Sequence, residues 1–394
     1  MDFKWQLIND SITDSDKKAL TDFINTPNQR FTQGRKVIEF ENAWSNYVGC
    51  EYSIFVNSGA SANYIMASIM KEKKGVGEVI VSPLGWVSDV APLVNLGFTP
   101  VFVDVDMENM SITLENIKKA VTDKTVGITL VHVLGFNAVN DELVEFCKDN
   151  DLFFIEDCCE AHGATYNNKR VGNFGHVSNF SFYFGHHMTT IEGGMVCTND
   201  DELYLLAKMF RSHGMTRLDY LQNDELGTKQ QIKYKELYPD LNPLFTFAVP
   251  GYNLRNHEFN AVLGLSQLKR LDSNVNKRKE NLDTWLNNLD SNKFFTIFDR
   301  EGNSSFALPL ILLKKDLEYF KKVCKLLEEQ NVEYRVGTAG GGNQARQPYL
   351  EKYDFVQHDL SNVNHIHDFA LYVGNHPELE KEQIINLCEG LNEI

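Results

Sequence analysis

The sequence predicts an α/β protein built on a mostly parallel mixed sheet, followed by a smaller α+β part. Three observations carry that expectation. Between about residues 53 and 200, short apolar runs rich in β-branched residues alternate with helical patterns, the signature of βαβ units. Polar and glycine residues gather where the apolar runs end, which is where such sheets carry their ligand-binding loops. The last third of the chain has its own strands and helices, with a glycine-rich loop, GTAGGGN, inside them.

The elements follow in order. YSIFVNSG reads as a strand entering a turn, and ASANYIMASIMKE as the helix after it. EVIVS is the next strand, and VSDVAPLVNLG its helix. PVFVDV, LENIKKAVTD, VGITLVHVLG, DELVEFCKDN and LFFIED continue the alternation, and VSNFSFYF and GGMVCTND close it. A long amphipathic helix is expected from about Glu258 to Leu289, because Phe259, Val262, Leu263, Leu268, Leu271, Val275 and Leu282 keep helical spacing. Beyond it come strands at SSFALPLIL and VEYRVG and helices at DLEYFKKVCKLLEEQ and LEKEQIINLCEGLN. At 394 residues the chain is too long for one simple core, so it divides into a large domain, 30–250, and a smaller one, 251–394, with 1–29 packed on the smaller.

Composition narrows the function. Hydrophobic residues at 43% and charged residues at 23% are an ordinary globular mix. No apolar run reaches the length of a membrane span, and the charged start MDFKWQLINDSITDSDKK is unlike a signal peptide, so a soluble cytoplasmic protein is expected. A net charge of −16 argues against a general nucleic-acid binder. The seven cysteines are scattered, with no C-x-x-C pair, and read as reduced thiols with no metal or iron–sulfur site.

The strand ends carry the chemistry. VNSGAS places Ser58 and Gly59 where a strand opens into a helix, a turn whose backbone N–H groups can face an anion. SPLGW puts Trp86 after the next strand, as a core residue or an aromatic face for a ring. FFIEDCCEAHGA puts Asp157 and Glu160 at a third strand end, where a carboxylate needs a partner. Ser181 ends another strand, and the adjacent His186 and His187 follow it in SFYFGHHMTTIEGGMVC. An anion-accepting turn, an aromatic, an acid and a serine together are what a pyridoxal phosphate pocket requires.

With these residues in view, the chain resembles the DegT-type family of pyridoxal-phosphate sugar-nucleotide aminotransferases and dehydratases. The resemblance rests on FENAWSNYVGCEYSIFVNSGASAN, IEDCCEAHGA and GYNLRNHEFNAVLGLSQLKRLD, and covers nearly the whole chain. It implies the fold-type I, aspartate-aminotransferase-like architecture. By position, it implies that Gly59 and Ala60 offer backbone N–H groups to the phosphate, with Ser61 standing in for a hydroxyl that Ala60 lacks. It implies that Trp86 stacks on the ring, Asp157 pairs with the pyridine nitrogen, Glu160 (usually Gln in the family) lies near the ring 3-hydroxyl, and Ser181 binds the phosphate. Asn253 would reach the phosphate of a neighbouring subunit in a homodimer with a shared active site.

The family's Schiff-base lysine lies six residues before the Glu of Glu-Gly-Gly. Here that Glu is Glu192, so His186 stands in the lysine's place, and no lysine occurs between Arg170 and Lys208. Imidazole forms no stable internal aldimine, so the cofactor is expected to be held non-covalently. Histidine remains a competent acid and base near neutral pH. This replacement resembles the sugar 3-dehydratases of the family. It implies that glutamate converts pyridoxal phosphate to pyridoxamine phosphate, and that the C3 hydroxyl is then lost from a GDP-linked 4-keto-6-deoxy-mannose, with ammonia released and His186 as base and then acid. Arg211, His213, Arg217, Arg335 and Arg346 are candidates for the sugar nucleotide, each weighed against a surface ion pair. The rivals are a perosamine-type aminotransferase and an inactive cofactor-binding homologue.

Overall fold

The computed structural model describes residues 3–218, 224–338 and 340–394; Ala339, inside the glycine-rich loop, lies outside them. Along the chain, α1 (Asp14–Asn25) and α2 (Arg35–Val48) lead into β1 (Tyr52–Val56) and α3 (Gly59–Lys74). The alternation continues with β2 (Glu78–Val81), α4 (Val87–Leu96), β3 (Thr99–Phe102), α5 (Leu114–Ala120), β4 (Thr125–Val131), α6 (Asp141–Asp149) and β5 (Phe153–Asp157). A small hairpin, β6 (Thr165–Tyr166) and β7 (Lys169–Arg170), precedes β8 (Val177–Ser181) and β9 (Gly194–Thr198). Then come α7 (Asp201–Arg211), α8 (Glu225–Leu237), α9 (Glu258–Gln267) and α10 (Leu271–Asn288). The chain ends with β10 (Ala307–Ile311), α11 (Leu317–Glu329), β11 (Tyr334–Val336), β12 (Val356–Gln357), α12 (Ser361–Phe369), β13 (Ala370–Gly374) and α13 (Lys381–Glu393).

Two compact units are assembled from separated segments, where the sequence suggested consecutive ones. The first comprises 1–10, 76–171 and 270–394. Its larger sheet runs β5-β4-β2-β3-β12, every neighbouring pair parallel. β5 is buried along its whole length, which explains its unbroken apolar run FFI. A second, antiparallel sheet runs β10-β13-β11. Trp285 of α10 is buried and donates from its indole N–H to the Pro309 carbonyl at 2.7 Å, tying the helix to that sheet. The β6–β7 hairpin turns on Asn167 and Asn168, both at positive φ, which asparagine tolerates well.

The second unit comprises 11–75 and 172–269. Its strands pair antiparallel in the order β1-β9-β8. An aromatic cluster of Phe40, Trp44, Phe55 and Phe182 fills its core, with ring centroids 4.8–6.3 Å apart in the close pairs. Gly264 of α9 lies against Phe40: a Cβ there would stand 2.6 Å from the ring. The N-terminus of α2 has no cap of its own. Buried Glu258 supplies one, accepting from the N–H groups of Gly34, Lys36 and Val37, each at 2.9 Å.

The single helix expected over 258–289 is two helices. The chain tightens into a 3-10 turn at Leu268–Arg270, and Arg270 has φ −114 and ψ 2, outside the helical range. Apolar spacing persists through the break because both helices bury the same kind of face. Among the described residues no helix is long and apolar enough to cross a membrane.

Candidate active site

In the second unit, β1 ends at Val56 and the chain turns through Asn57 and Ser58 into α3. Ser58 is extended at φ −165, and its hydroxyl accepts from the Ser61 N–H at 3.0 Å. The N–H groups of Gly59 and Ala60 belong to the first helical turn, which leaves them no partner within the helix. Ser61 Oγ donates to Asn57 Oδ1 at 2.6 Å and accepts from Ser58 at 2.9 Å.

Glycine brings this helix end to Ser181. Gly194 on β9 is in register with both Val56 on β1 and Ser181 on β8. A Cβ at Gly194 would stand 2.3 Å from the Ser58 carbonyl oxygen and 2.7 Å from the Gly59 nitrogen. Only hydrogen at this position lets the α3 N-terminus sit down on the strand pair that ends at Ser181. Ser181 is buried, and its hydroxyl accepts from the Tyr183 N–H at 3.4 Å.

His186 and His187 occupy the turn between β8 and β9. The turn is closed by the Phe182 N–H on Gly193 and the Thr190 N–H on Phe182, both at 2.9 Å. Thr189 Oγ1 accepts from Ile191, whose φ of +71 is strained for a β-branched residue. Asn256 and Asn260 bind the Glu192 carbonyl at 3.3 and 2.7 Å. This bracing fixes the half-buried His186 and the buried His187. The next lysine, Lys208, is engaged with Asp224 and with Tyr204 Oη.

Arg211 takes a role that the sequence did not show. It is buried, with its guanidinium 2.5 Å from Glu41 and 3.1 Å from the Phe55 carbonyl, so its charge is committed inside the unit. His213 is exposed at φ +62 and donates its N–H to the Tyr252 carbonyl. Ser212 bridges to Asn253, which brings His213 beside exposed Asn253. Arg217 is half-buried.

In the first unit, the loop after β2 leads to Trp86 at the head of α4. The indole is 58% exposed and therefore is not a core residue. Gly340 backs onto its edge, where a Cβ would come within 2.9 Å of Cε3. Asp157, the last residue of β5, is buried and accepts the Cys159 N–H at 2.9 Å. Glu160 accepts the N–H of Leu134 at 2.7 Å. Burial pushes its carboxyl up from 4.5 to about 7, against that hydrogen bond and with help from the Asp157 charge.

A third acid, Asp89, lies in the first turn of α4, hydrogen-bonded to Asp157. Burial first, and then the Asp157 charge, push it well above the usual carboxylate range. Its sequence signal was slight: an acid three residues after Trp86 looks like any helix N-terminal acid. Arg335 on β11 is largely exposed, 3.6 Å from Glu333, and Arg346 binds Asp368 and Asn364 at 2.8 and 2.6 Å.

None of the seven cysteines forms a disulfide. Among the described residues, His132, Glu156 and Cys158 place donor atoms within 4.8 Å of one another. His132 Nδ1 accepts the Ala138 N–H at 3.1 Å and Nε2 faces Glu156 at 3.4 Å, while burial keeps the Cys158 thiol protonated.

An α/β framework with a helix N-terminus whose first N–H groups have no partner within the helix, a buried strand-end carboxylate and an open indole has the make-up of the pyridoxal-phosphate aminotransferase fold. The chain belongs to the DegT/DnrJ/EryC1/StrS aminotransferase family, which matches residues 10–392. It is 33% identical to GDP-4-keto-6-deoxy-D-mannose 3-dehydratase of Yersinia pseudotuberculosis, over 91% of each chain. It is 30% identical to the enzyme of the same name from Escherichia coli O55:H7, over 94% of this chain and 95% of the other. A crystal structure of GDP-4-keto-6-deoxymannose-3-dehydratase with a trapped PLP-glutamate geminal diamine superposes with a TM-score of 0.88 at 30% identity, over 98% of this chain and all of the other. GDP-perosamine synthase of Escherichia coli O157:H7 is 29% identical over 92% of this chain and 91% of the other.

Proposed function

We propose that the protein removes the C3 hydroxyl from GDP-4-keto-6-deoxy-D-mannose, using pyridoxal phosphate and pyridoxamine phosphate held without a covalent bond. Glutamate is the amino donor, and ammonia leaves. The observation that carries this reading is His186: it stands six residues before Glu192, on a rigid turn, and the next lysine in the chain is tied to Asp224. Relatives named for this reaction support it.

The residues present fit the cofactor. The N–H groups of Gly59 and Ala60 and the hydroxyl of Ser181 would bind its phosphate. Trp86 would cover one ring face. Asp157 would keep the pyridine nitrogen protonated, and Glu160 would serve the ring 3-hydroxyl. When bound, the cofactor supplies an electron sink for proton loss and for departure of the C3 oxygen. His186 would serve there as the base and then the acid, protonating the departing C3 oxygen so that water rather than hydroxide would leave. His213, Arg217 and Arg335 remain candidates for the GDP-sugar; Arg211, paired to Glu41, supports the fold instead.

The active protein is a homodimer in this reading, with Asn253 reaching the partner's cofactor phosphate. Phe245, Phe247 and Tyr252, exposed at 59%, 54% and 59% close to Asn253 in sequence, suit such an interface. A perosamine-type aminotransferase would have to return a proton to the sugar C4 with no lysine at the family's position. Borohydride treatment of the protein with one equivalent of pyridoxal phosphate tests the non-covalent hold. An unchanged protein mass is expected; a stable pyridoxyl adduct contradicts it.

A further inference from the structure

The Asp89–Asp157 contact has a chemical consequence. The carboxyl of Asp89 folds back over Gly85, where a Cβ would stand 2.2 Å from Oδ2 and 3.3 Å from Val131 Cγ2. Val131 is the register partner of Asp157 across the β4–β5 pair. The Asp89 backbone N–H is fixed on the Trp86 carbonyl at 2.9 Å. Residue 85 thus has no side chain where the Asp89 carboxyl lies, and that carboxyl meets the strand-end acid. Both acids are buried, at 4% and 5% exposure.

Two buried carboxyls in hydrogen-bond contact cannot both be ionised, so one proton is shared between them. The surroundings decide which acid carries it. Each carboxyl accepts one backbone N–H, Asp157 from Cys159 at 2.9 Å and Asp89 from Trp86. Asp89 faces Asp157 and Glu160, and the Cys159 and Tyr349 side chains lie close enough to feel its charge. We propose that Asp89 is a positioning residue: as a neutral acid it donates to Asp157, holding that carboxylate charged and oriented for the cofactor's pyridine nitrogen. The inference rests on the role given to Asp157 above. It requires a donor at position 89, which asparagine can supply and leucine cannot.

The test uses the full-length protein in a Glu160→Gln background, because Glu160 also titrates near neutrality. In that background three proteins are compared: one keeping Asp89, one with Asp89→Asn and one with Asp89→Leu. Thermal midpoints of each, free of cofactor, are measured from about pH 5 to about pH 9. Pyridoxal phosphate affinity is measured by absorbance titration. An acid raised in the folded state binds its proton there more tightly than in the unfolded chain. Stability is therefore highest at low pH and is lost as pH rises through the folded value. Asp89→Asn should flatten that decline and keep affinity within about threefold, whereas Asp89→Leu should weaken it roughly tenfold or more. An unchanged pH slope in Asp89→Asn, or parental affinity in Asp89→Leu, overturns the proposal. If the parent protein binds no pyridoxal phosphate, the reading of the site fails, while the pH slopes still decide whether Asp89 holds the proton.

Discussion

At the scale of single residues, the candidate site is a set of side chains whose charge is set by neighbours. Glu160 shows this most plainly. Its carboxyl is raised from 4.5 to about 7, first by burial and then by Asp157. The folded state therefore binds a proton that the unfolded chain has released, and stability declines between pH 4.5 and about 7. Glu160→Gln should remove that decline and leave the cofactor-free protein more stable at pH 8 by roughly 1–3 kcal/mol, allowing for partial solvent access. Denaturant titration at pH 5 and pH 8 checks it: equal effects at the two values contradict the account. The role proposed for His186 rests on sequence spacing alone, six residues before Glu192. Asp89 was not legible, since only the tertiary fold shows that its carboxyl turns back toward β5. Arg211 misled for the same reason: a guanidinium beside a loop and one buried on Glu41 have the same sequence.

At the scale of elements, two contacts that cross long stretches of chain hold the second unit's helix ends in place. Glu258 caps α2 from the head of α9 with three backbone hydrogen bonds. Glu258→Ala leaves those N–H groups buried without an acceptor and should destabilise the protein by roughly 2–5 kcal/mol, read by chemical denaturation. Gly194→Ala would push on the Ser58 carbonyl and tilt the α3 N-terminus. A loss of pyridoxal phosphate affinity of roughly tenfold or more is expected, and an unchanged affinity would remove Gly59 and Ala60 from the phosphate site. Alternation made β1 to β5 and their helices readable, because each strand is short, apolar and bounded by turn residues. β13 escaped because α12 runs into it at Phe369–Ala370 without a glycine or proline to mark the change. The break at Leu268–Arg270 escaped because apolar spacing continues through it.

At the scale of the whole molecule, family membership sets the kind of chemistry, and the proposal is that His186 directs it. In the proposed reading, Gly59, Ala60 and Ser181 serve the phosphate, Trp86 the ring and Asp157 the pyridine nitrogen, while His186, an acid–base side chain, stands where a lysine would bind the cofactor covalently. That combination suits elimination at C3 better than amino transfer to C4. Incubating the protein with pyridoxal phosphate, glutamate and GDP-4-keto-6-deoxymannose, and weighing the nucleotide sugar by mass spectrometry while assaying ammonia, tests it most directly. A sugar that has lost its C3 oxygen, with ammonia released, is the predicted result. A sugar that keeps that oxygen and gains an amino group would contradict the role given to His186.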